Sequence, residues 1–139
     1  MIEERDLNEH VHLLGWKSHE EVIRLLQGAH ILVAPSVTAK DGDQEGIPNA
    51  IKEAMALGLP VIGTQHSGIP EIVEDGVSGF LVPERDVDVL ADRLSFLIDH
   101  SEKWAGMGRA GRARVERHYD VKILNDRLVE LYKQVCAKT

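Results

Sequence analysis

Cysteine is nearly absent from this chain, and aromatic residues are few: one Cys and two each of Trp, Tyr and Phe among 139 residues. The lone Cys136 has no partner within the chain, so a disulfide scaffold is excluded and a reducing cytoplasm is the simpler expectation. Trp16 and Trp104 are too isolated to make a binding platform. Basic residues are also in deficit, 16 Lys and Arg against 23 Asp and Glu, and the net charge of −7 argues against a nucleic-acid surface, which needs cations to neutralise phosphates. Any phosphate bound here has to be held locally. Long apolar runs are missing as well: residues 29–35 fall far short of the ~20 that span a bilayer, and Met1-Ile2-Glu3-Glu4 lacks a signal peptide's basic start. A soluble protein is expected, with contact at the inner face of a membrane left to a partner domain. Residues 2–7 read like the end of a helix or a linker, so a fragment is expected rather than a natural start at Met1.

What is present is an alternation of short apolar runs and amphipathic stretches with no internal repeat. Val11-His12-Leu13-Leu14 reads as a strand, and Ser18-x-x-Glu21 opens a helix with Val22, Leu25 and Leu26 on its apolar side. Ile31-Leu32-Val33-Ala34, Pro60-Val61-Ile62-Gly63 and Gly79-Phe80-Leu81-Val82 read as strands buried on both faces of a parallel sheet. Between them, Pro48 is expected as a first helical residue and Gly58 as the stop of that helix, while Pro70 starts a shorter one. Three helices close the chain: one carried by Val87, Leu90, Leu94, Leu97 and Ile98, a more basic one over 102–117, and one carried by Val121, Leu124, Leu128, Leu131 and Val135. The whole predicts a single domain over residues 1–139, a Rossmann-like doubly wound parallel sheet in three α/β/α layers followed by C-terminal helices, with ligands at the carboxyl ends of the strands.

The longest loop at that edge contains DGDQEGIPNAIKEAM, residues 41–55, and two acid pairs compete within it. Asp41 and Asp43 form a D-x-D that suits a hard divalent cation, but three residues of ordinary loop composition are equally a solvated turn, and no metal is expected. Glu45 and Glu53 flank a predicted helix start at Pro48-Asn49-Ala50, whose free N–H groups and positive dipole end favour an anion such as a diphosphate. A carboxylate on each side of an anion site suits a ligand built as sugar, diphosphate and ribose, because an ionised carboxylate accepts hydrogen bonds from paired hydroxyls.

The run from Glu45-Gly46-Ile47-Pro48-Asn49-Ala50 through Lys52-Glu53-Ala54-Met55 to Pro60-Val61-Ile62 resembles the E-x7-E signature and following strand of family 4 retaining glycosyltransferases with the GT-B fold. The likeness covers about residues 7–135: Val11 to Trp16 is similar to the family's V-x-F-L-G segment, His30 to Ser36 to its A-D-I-L-V-x-P-S strand, and Ser67-Gly68-Ile69-Pro70-Glu71 with Gly76 to Val82 to its G-G-I-P-E block. The resemblance implies that Glu45 contacts the transferred sugar as the catalytic-site acid and that Glu53 holds the ribose. It implies sugar contacts from Gly46 and Ile47, phosphate contacts from Asn49 and Ala50, and more weakly a base pocket at Gly15 and Trp16. Pro48 stands where Gly is commonest in the family, and having no N–H it removes one hydrogen bond to the donor.

The resemblance further implies a nucleotide diphosphate sugar as donor, retention at the anomeric carbon and no required cofactor or metal. The family's basic pair, an Arg and a Lys that neutralise the leaving diphosphate, has no counterpart here, and the N-terminal acceptor domain is missing. The chain is therefore expected to be most of a C-terminal donor-binding domain, inactive alone, from a hexosyltransferase making surface polysaccharide or glycolipid. Front-face displacement aided by the departing phosphate is the mechanism the family implies, so Glu45 need not be a nucleophile.

His66 and Ser67, in the loop after the Pro60 strand, are weaker candidates for a sugar contact, set against a plain loop role. Arg109, Arg112, Arg114 and Arg117 suit either a solvated helix face or an anionic lipid surface. The final helix resembles the family's closing segment, which returns toward the other domain. The rival readings are a non-catalytic doubly wound regulatory or docking module and a GT-B epimerase or phosphorylase.

Overall fold

The computed structural model describes residues 2–39, 42 and 46–137. Three parallel strands, β1 (Leu32–Ala34), β2 (Val61–Thr64) and β3 (Gly79–Val82), lie in the order β1-β2-β3. Leu32 stands opposite Val61, and Val61 opposite Gly79. The helices are α1 (His19–Gly28), α2 (Asn49–Ala56), α3 (Ile69–Ile72), α4 (Val87–Asp99), α5 (Trp104–His118) and α6 (Val121–Cys136).

Successive strand residues point to opposite faces, and β2, buried along its whole length, shows the consequence. Val61 enters a cluster with Leu26 of α1, Ile51 and Met55 of α2, and Ile69 and Ile72 of α3. The next residue, Ile62, enters a second cluster with Phe80, Val82, Leu97 of α4 and Met107 of α5. One cluster on each side of the sheet makes the expected three-layer Rossmann-like α/β arrangement. Trp104 belongs to the second cluster, its indole Nε1 donating to the carbonyl of Leu97 at 2.7 Å, so packing is its role.

The local signals act as the sequence predicts at most ends. Ser18 and Glu21 form a reciprocal capping box, and the backbone N–H of Ser18, followed by its hydroxyl, holds the Glu21 carboxyl below its usual range. Gly58 follows α2 with φ +83°, the left-handed setting that ends a helix at little cost for glycine. At that point α5 crosses: a Cβ on Gly108 would overlap the carbonyl oxygen of Gly58.

Three expectations fail. Residues 11–14 form no strand: Val11 N donates to Leu7 O at 2.8 Å in a turn, Leu13 is 86% exposed, and no named strand pairs with the outer edge of β1. Apolar pattern reports what a strand would bury, whereas a strand also needs a neighbour for its backbone groups. Pro48 is the N-cap of α2 and not its first residue, a shift of one position. The apolar stripes of α6 and part of α1 remain open: none of Val121, Leu124, Leu128, Leu131 and Val135 is buried, and Leu25 is exposed while Leu26 packs.

Candidate functional site

Because all three strands are parallel, their carboxyl ends gather the loops after β1, β2 and β3 on one edge. The start of α2 lies there. Its N-cap, Pro48, is buried with φ −55° and ψ 132°, and among the described residues no side chain caps the helix. The first N–H groups of an α-helix have no partner within it and carry roughly half a positive charge, so this end is suited to an anion. Asn49 is exposed and Ala50 half-buried at that end.

Gly46 and Ile47 lead into the helix, and the loop after β2 supports them. Gly68 lies so close that a Cβ on it would come within 2.7 Å of Ile47 Cγ1. Glu53, one turn into α2 from Asn49, keeps 24% of its side chain exposed, and its Oε1 lies 3.5 Å from Nδ1 of His19, the first residue of α1. His19 follows closely on Gly15, which has φ +63°, and on Trp16, 88% exposed. The structure therefore brings His19 beside the acid of α2, although no strand delivers it. Glu45, with Asp41 and Asp43, lies outside the described residues.

His66 lies in the loop after β2, where the sequence places it. It is 1% exposed, and its Nδ1 lies 2.7 Å from Oε1 of Glu84, in the loop after β3. Opposite a carboxylate, Nδ1 of the neutral ring carries the proton and donates; Nε2 is buried with no partner among the described residues. Glu84 also accepts from Thr38 in the loop after β1, through Thr38 N to Oε2 at 2.9 Å and Thr38 Oγ1 to Oε1 at 3.1 Å. The backbone N–H of Thr38, then the His66 ring, hold the Glu84 carboxyl below its ordinary 4.5. Ser67 is exposed at φ 45°.

A cavity of about 240 Å³ opens at the same edge, on the α4 side, between Pro35, Val37, Thr64, Pro83 and Val87. The basic stretch of α5 is partly spent on its own chain, Arg112 on Glu116 at 2.8 Å and Arg114 on the carbonyl of Glu71 at 2.8 Å. Sequence reasoning missed His19, Thr38, Glu84 and Arg85 as residues of this edge. Thr38 and Glu84 are 46 positions apart, and no spacing rule links them.

Comparison with known proteins gives a consistent result. Residues 1–114 match the family model for glycosyl transferases group 1. The amylovoran biosynthesis glycosyltransferase AmsK of Erwinia amylovora is 44% identical over 134 residues, which is 96% of this chain and 33% of that protein. Among solved structures, sucrose-phosphate synthase from Thermosynechococcus elongatus superposes with a TM-score of 0.86 at 27% identity, covering 99% of this chain and 33% of that one. HepE of Anabaena, solved with UDP, gives 0.85 at 27% identity over 96% of this chain and 35% of its own, and it has also been solved with UDP-glucose. The chain thus spans about a third of the relatives it matches. Among the described residues no helix is long and apolar enough to cross a membrane. The chain belongs to the group 1 glycosyltransferases and carries the fold of their C-terminal GT-B domain.

Proposed function

We propose that this chain is the donor-binding half of a retaining hexosyltransferase that takes a sugar from a nucleotide diphosphate and passes it to an acceptor hydroxyl during surface polysaccharide or glycolipid synthesis. The observation that carries the reading is the start of α2 at the carboxyl edge of the sheet, capped by no side chain among the described residues, with Glu53 one turn inside it and 24% of its side chain exposed. The diphosphate would lie on the N–H groups of Asn49 and Ala50, the ribose hydroxyls on Glu53, and the base toward Gly15 and Trp16. Gly46 and Ile47 would face the sugar together with Glu45. Helix N–H donors pre-aimed at the leaving diphosphate stabilise charge as it develops, which calls for no metal or cofactor. HepE, bound to UDP-glucose in its own structure, supports a nucleotide sugar as the ligand class. The acceptor and the basic pair that completes the diphosphate site would come from the rest of the enzyme, so this chain alone should not turn over, and it would work on the cytoplasmic side of the membrane.

Calorimetric titration with UDP, GDP and ADP tests the assignment. The expected result is saturable binding of one of them, weakened in Glu53→Ala by about 1.5–3 kcal/mol, the range for hydrogen bonds to a charged group. An unchanged affinity in that variant means that the ribose lies elsewhere. Binding of magnesium without any nucleotide would favour a non-catalytic module.

A further inference from the structure

Local chemistry does little to fix the start of α2. Its N-cap, Pro48, has no N–H to donate and no capping side chain. Ile47, the residue before the cap, cannot close a hydrophobic staple, because the position that would complete it one turn into the helix is Lys52. The N–H of Ile51 is spent on Pro48 O at 3.1 Å, so the anion reading rests on those of Asn49 and Ala50.

The loop after β2 holds this start instead. Ile47 packs against the first core cluster and against Gly68, so closely that a Cβ on Gly68 would stand 2.7 Å from Ile47 Cγ1 and 3.6 Å from the carbonyl carbon of Gly46. Gly68 has φ −83°, which any residue can adopt, so glycine serves there for space and not for conformation. The helix that follows it, α3, is four residues long, too short to persist alone, and is fixed at both ends. Ile69 is fully buried against Gly63 of β2, where a Cβ would stand 2.8 Å from Ile69 Cγ2. At the far end Arg114 of α5 donates to Glu71 O from Nη2 at 2.8 Å and from Nε at 3.3 Å, and its Nη1 pairs with Glu74 Oε2 at 3.6 Å. A cationic donor on the last carbonyls of a helix is a stabilising cap. Because α5 also lies on Met55 and Gly58, it holds the second half of α2 directly and the approach to α2 through α3.

We propose that Gly68 and Arg114 are positioning residues for the diphosphate end of the donor site. Gly68 seats the side chain of Ile47, Arg114 holds the helix that Gly68 leads into, and together they set where Asn49 and Ala50 aim their N–H groups. This rests on the reading of those N–H groups as the diphosphate contact. The ribose end depends on Glu53, whose part of α2 is anchored by Ala54 and Met55 in the first cluster. Loss of the brace should therefore reduce the advantage of a diphosphate over a monophosphate.

The test measures the affinity of the full chain for UDP, GDP and ADP, and for UMP, GMP and AMP, in the wild type and in Gly68→Ala, Ile47→Ala, the two combined, Arg114→Ala, Arg114→Lys and Glu53→Ala. Circular dichroism and melting establish that each variant is folded. In Gly68→Ala the diphosphate that binds the wild type should weaken about tenfold, the order expected when a contact surface is displaced by a fraction of an ångström, while the matching monophosphate stays within about twofold. Ile47→Ala removes the atoms that a Cβ at position 68 would meet, so adding Gly68→Ala to it should cost little more, and the two losses should not add. Arg114→Ala should show the same selective loss, about threefold or more, the order of one hydrogen bond, and Arg114→Lys, which keeps a donor for Glu71 O, should recover most of it. Fully additive losses at positions 47 and 68 would show that the two residues do not act through their contact and overturn the proposal. Equal losses for diphosphate and monophosphate that track a fall in melting temperature reduce the brace to a structural role and overturn it as well. Wild-type diphosphate affinity in folded Gly68→Ala or Arg114→Ala, with Glu53→Ala weakened, overturns the brace and leaves the site reading standing. If Gly68→Ala does not fold, Ile47→Ala and Arg114→Ala decide: selective losses in both support the brace and no loss in either refutes it. A wild-type chain that binds none of the three diphosphates, or a Glu53→Ala variant with unchanged affinity, removes the site reading and the brace with it.

Discussion

At the scale of single residues, Glu84 shows how a side chain with no motif acquires a task. It stands where β3 ends, and its two oxygens meet three donors: Thr38 N, Thr38 Oγ1 and the His66 ring. Those bonds favour the ionised carboxylate, so its folded pKa lies below the 4.5 of the free side chain. The sign of the linkage follows. A depressed pKa gives stability that is present above the unfolded value and is lost as pH falls through the folded value. Urea midpoints measured from pH 6 down to 3 should therefore decline on the acid side in the wild type, and the decline should be shallower in Glu84→Gln, which has no carboxylate to titrate. Equal slopes would mean that other acids dominate acid unfolding. Glu53 is a contrasting case: 24% of its side chain is exposed, and among the described residues its charged neighbour is the exposed His19.

At the scale of elements, the decisive contact is the crossing of α5 over the end of α2. Gly58 ends α2 because its φ of +83° suits glycine, and Gly108 lets the backbone of α5 approach the Gly58 carbonyl where any side chain would collide. Gly111, one turn on, packs against Met55, so α5 reaches the first core cluster through small residues. Gly108→Ala should destabilise the fold by about 1–3 kcal/mol, the usual cost of overpacking, although alanine is the better helix former. The free energy from urea unfolding checks this, and a stabilised variant would show that the crossing yields easily. The exposed Arg112–Glu116 and Lys133–Glu130 pairs along α5 and α6 are worth little by comparison.

At the scale of the whole molecule, stability resides in two clusters on either side of β2, and α6 belongs to neither. No residue of α6 is buried, and all its large apolar residues except the half-buried Ile123 are exposed. Ending the chain at Asp120 should therefore move the melting temperature by no more than a few degrees, since a change of 1 kcal/mol corresponds to roughly 2–8 °C in domains of this size class. A loss of cooperative melting would show that α6 supports the body. The same distribution governs the candidate site: α2, which carries the candidates Asn49, Ala50 and Glu53, is anchored by Ile51, Ala54 and Met55 in the first cluster, so this helix is among the most firmly held elements.

The sequence by itself determined the buried strands β2 and β3, because residues covered on both faces must be apolar throughout, and it determined the helix ends at Ser18 and Gly58, because caps are local chemistry; β1, expected to be buried in the same way, is only half-buried. It also located Glu53 and the start of α2 through a pattern contiguous along the chain. Tertiary structure decided whatever depended on a distant partner. Residues 11–14 have a strand's pattern but pair with no strand among the described residues; α6 has an apolar stripe, and none of its residues is buried. His66 is placed in a loop by the sequence, but only the fold shows that it is buried and faces Glu84, 18 positions later. A polar side chain's fate is set by the groups that surround it, and only the closed fold brings Thr38, His66 and Glu84 together.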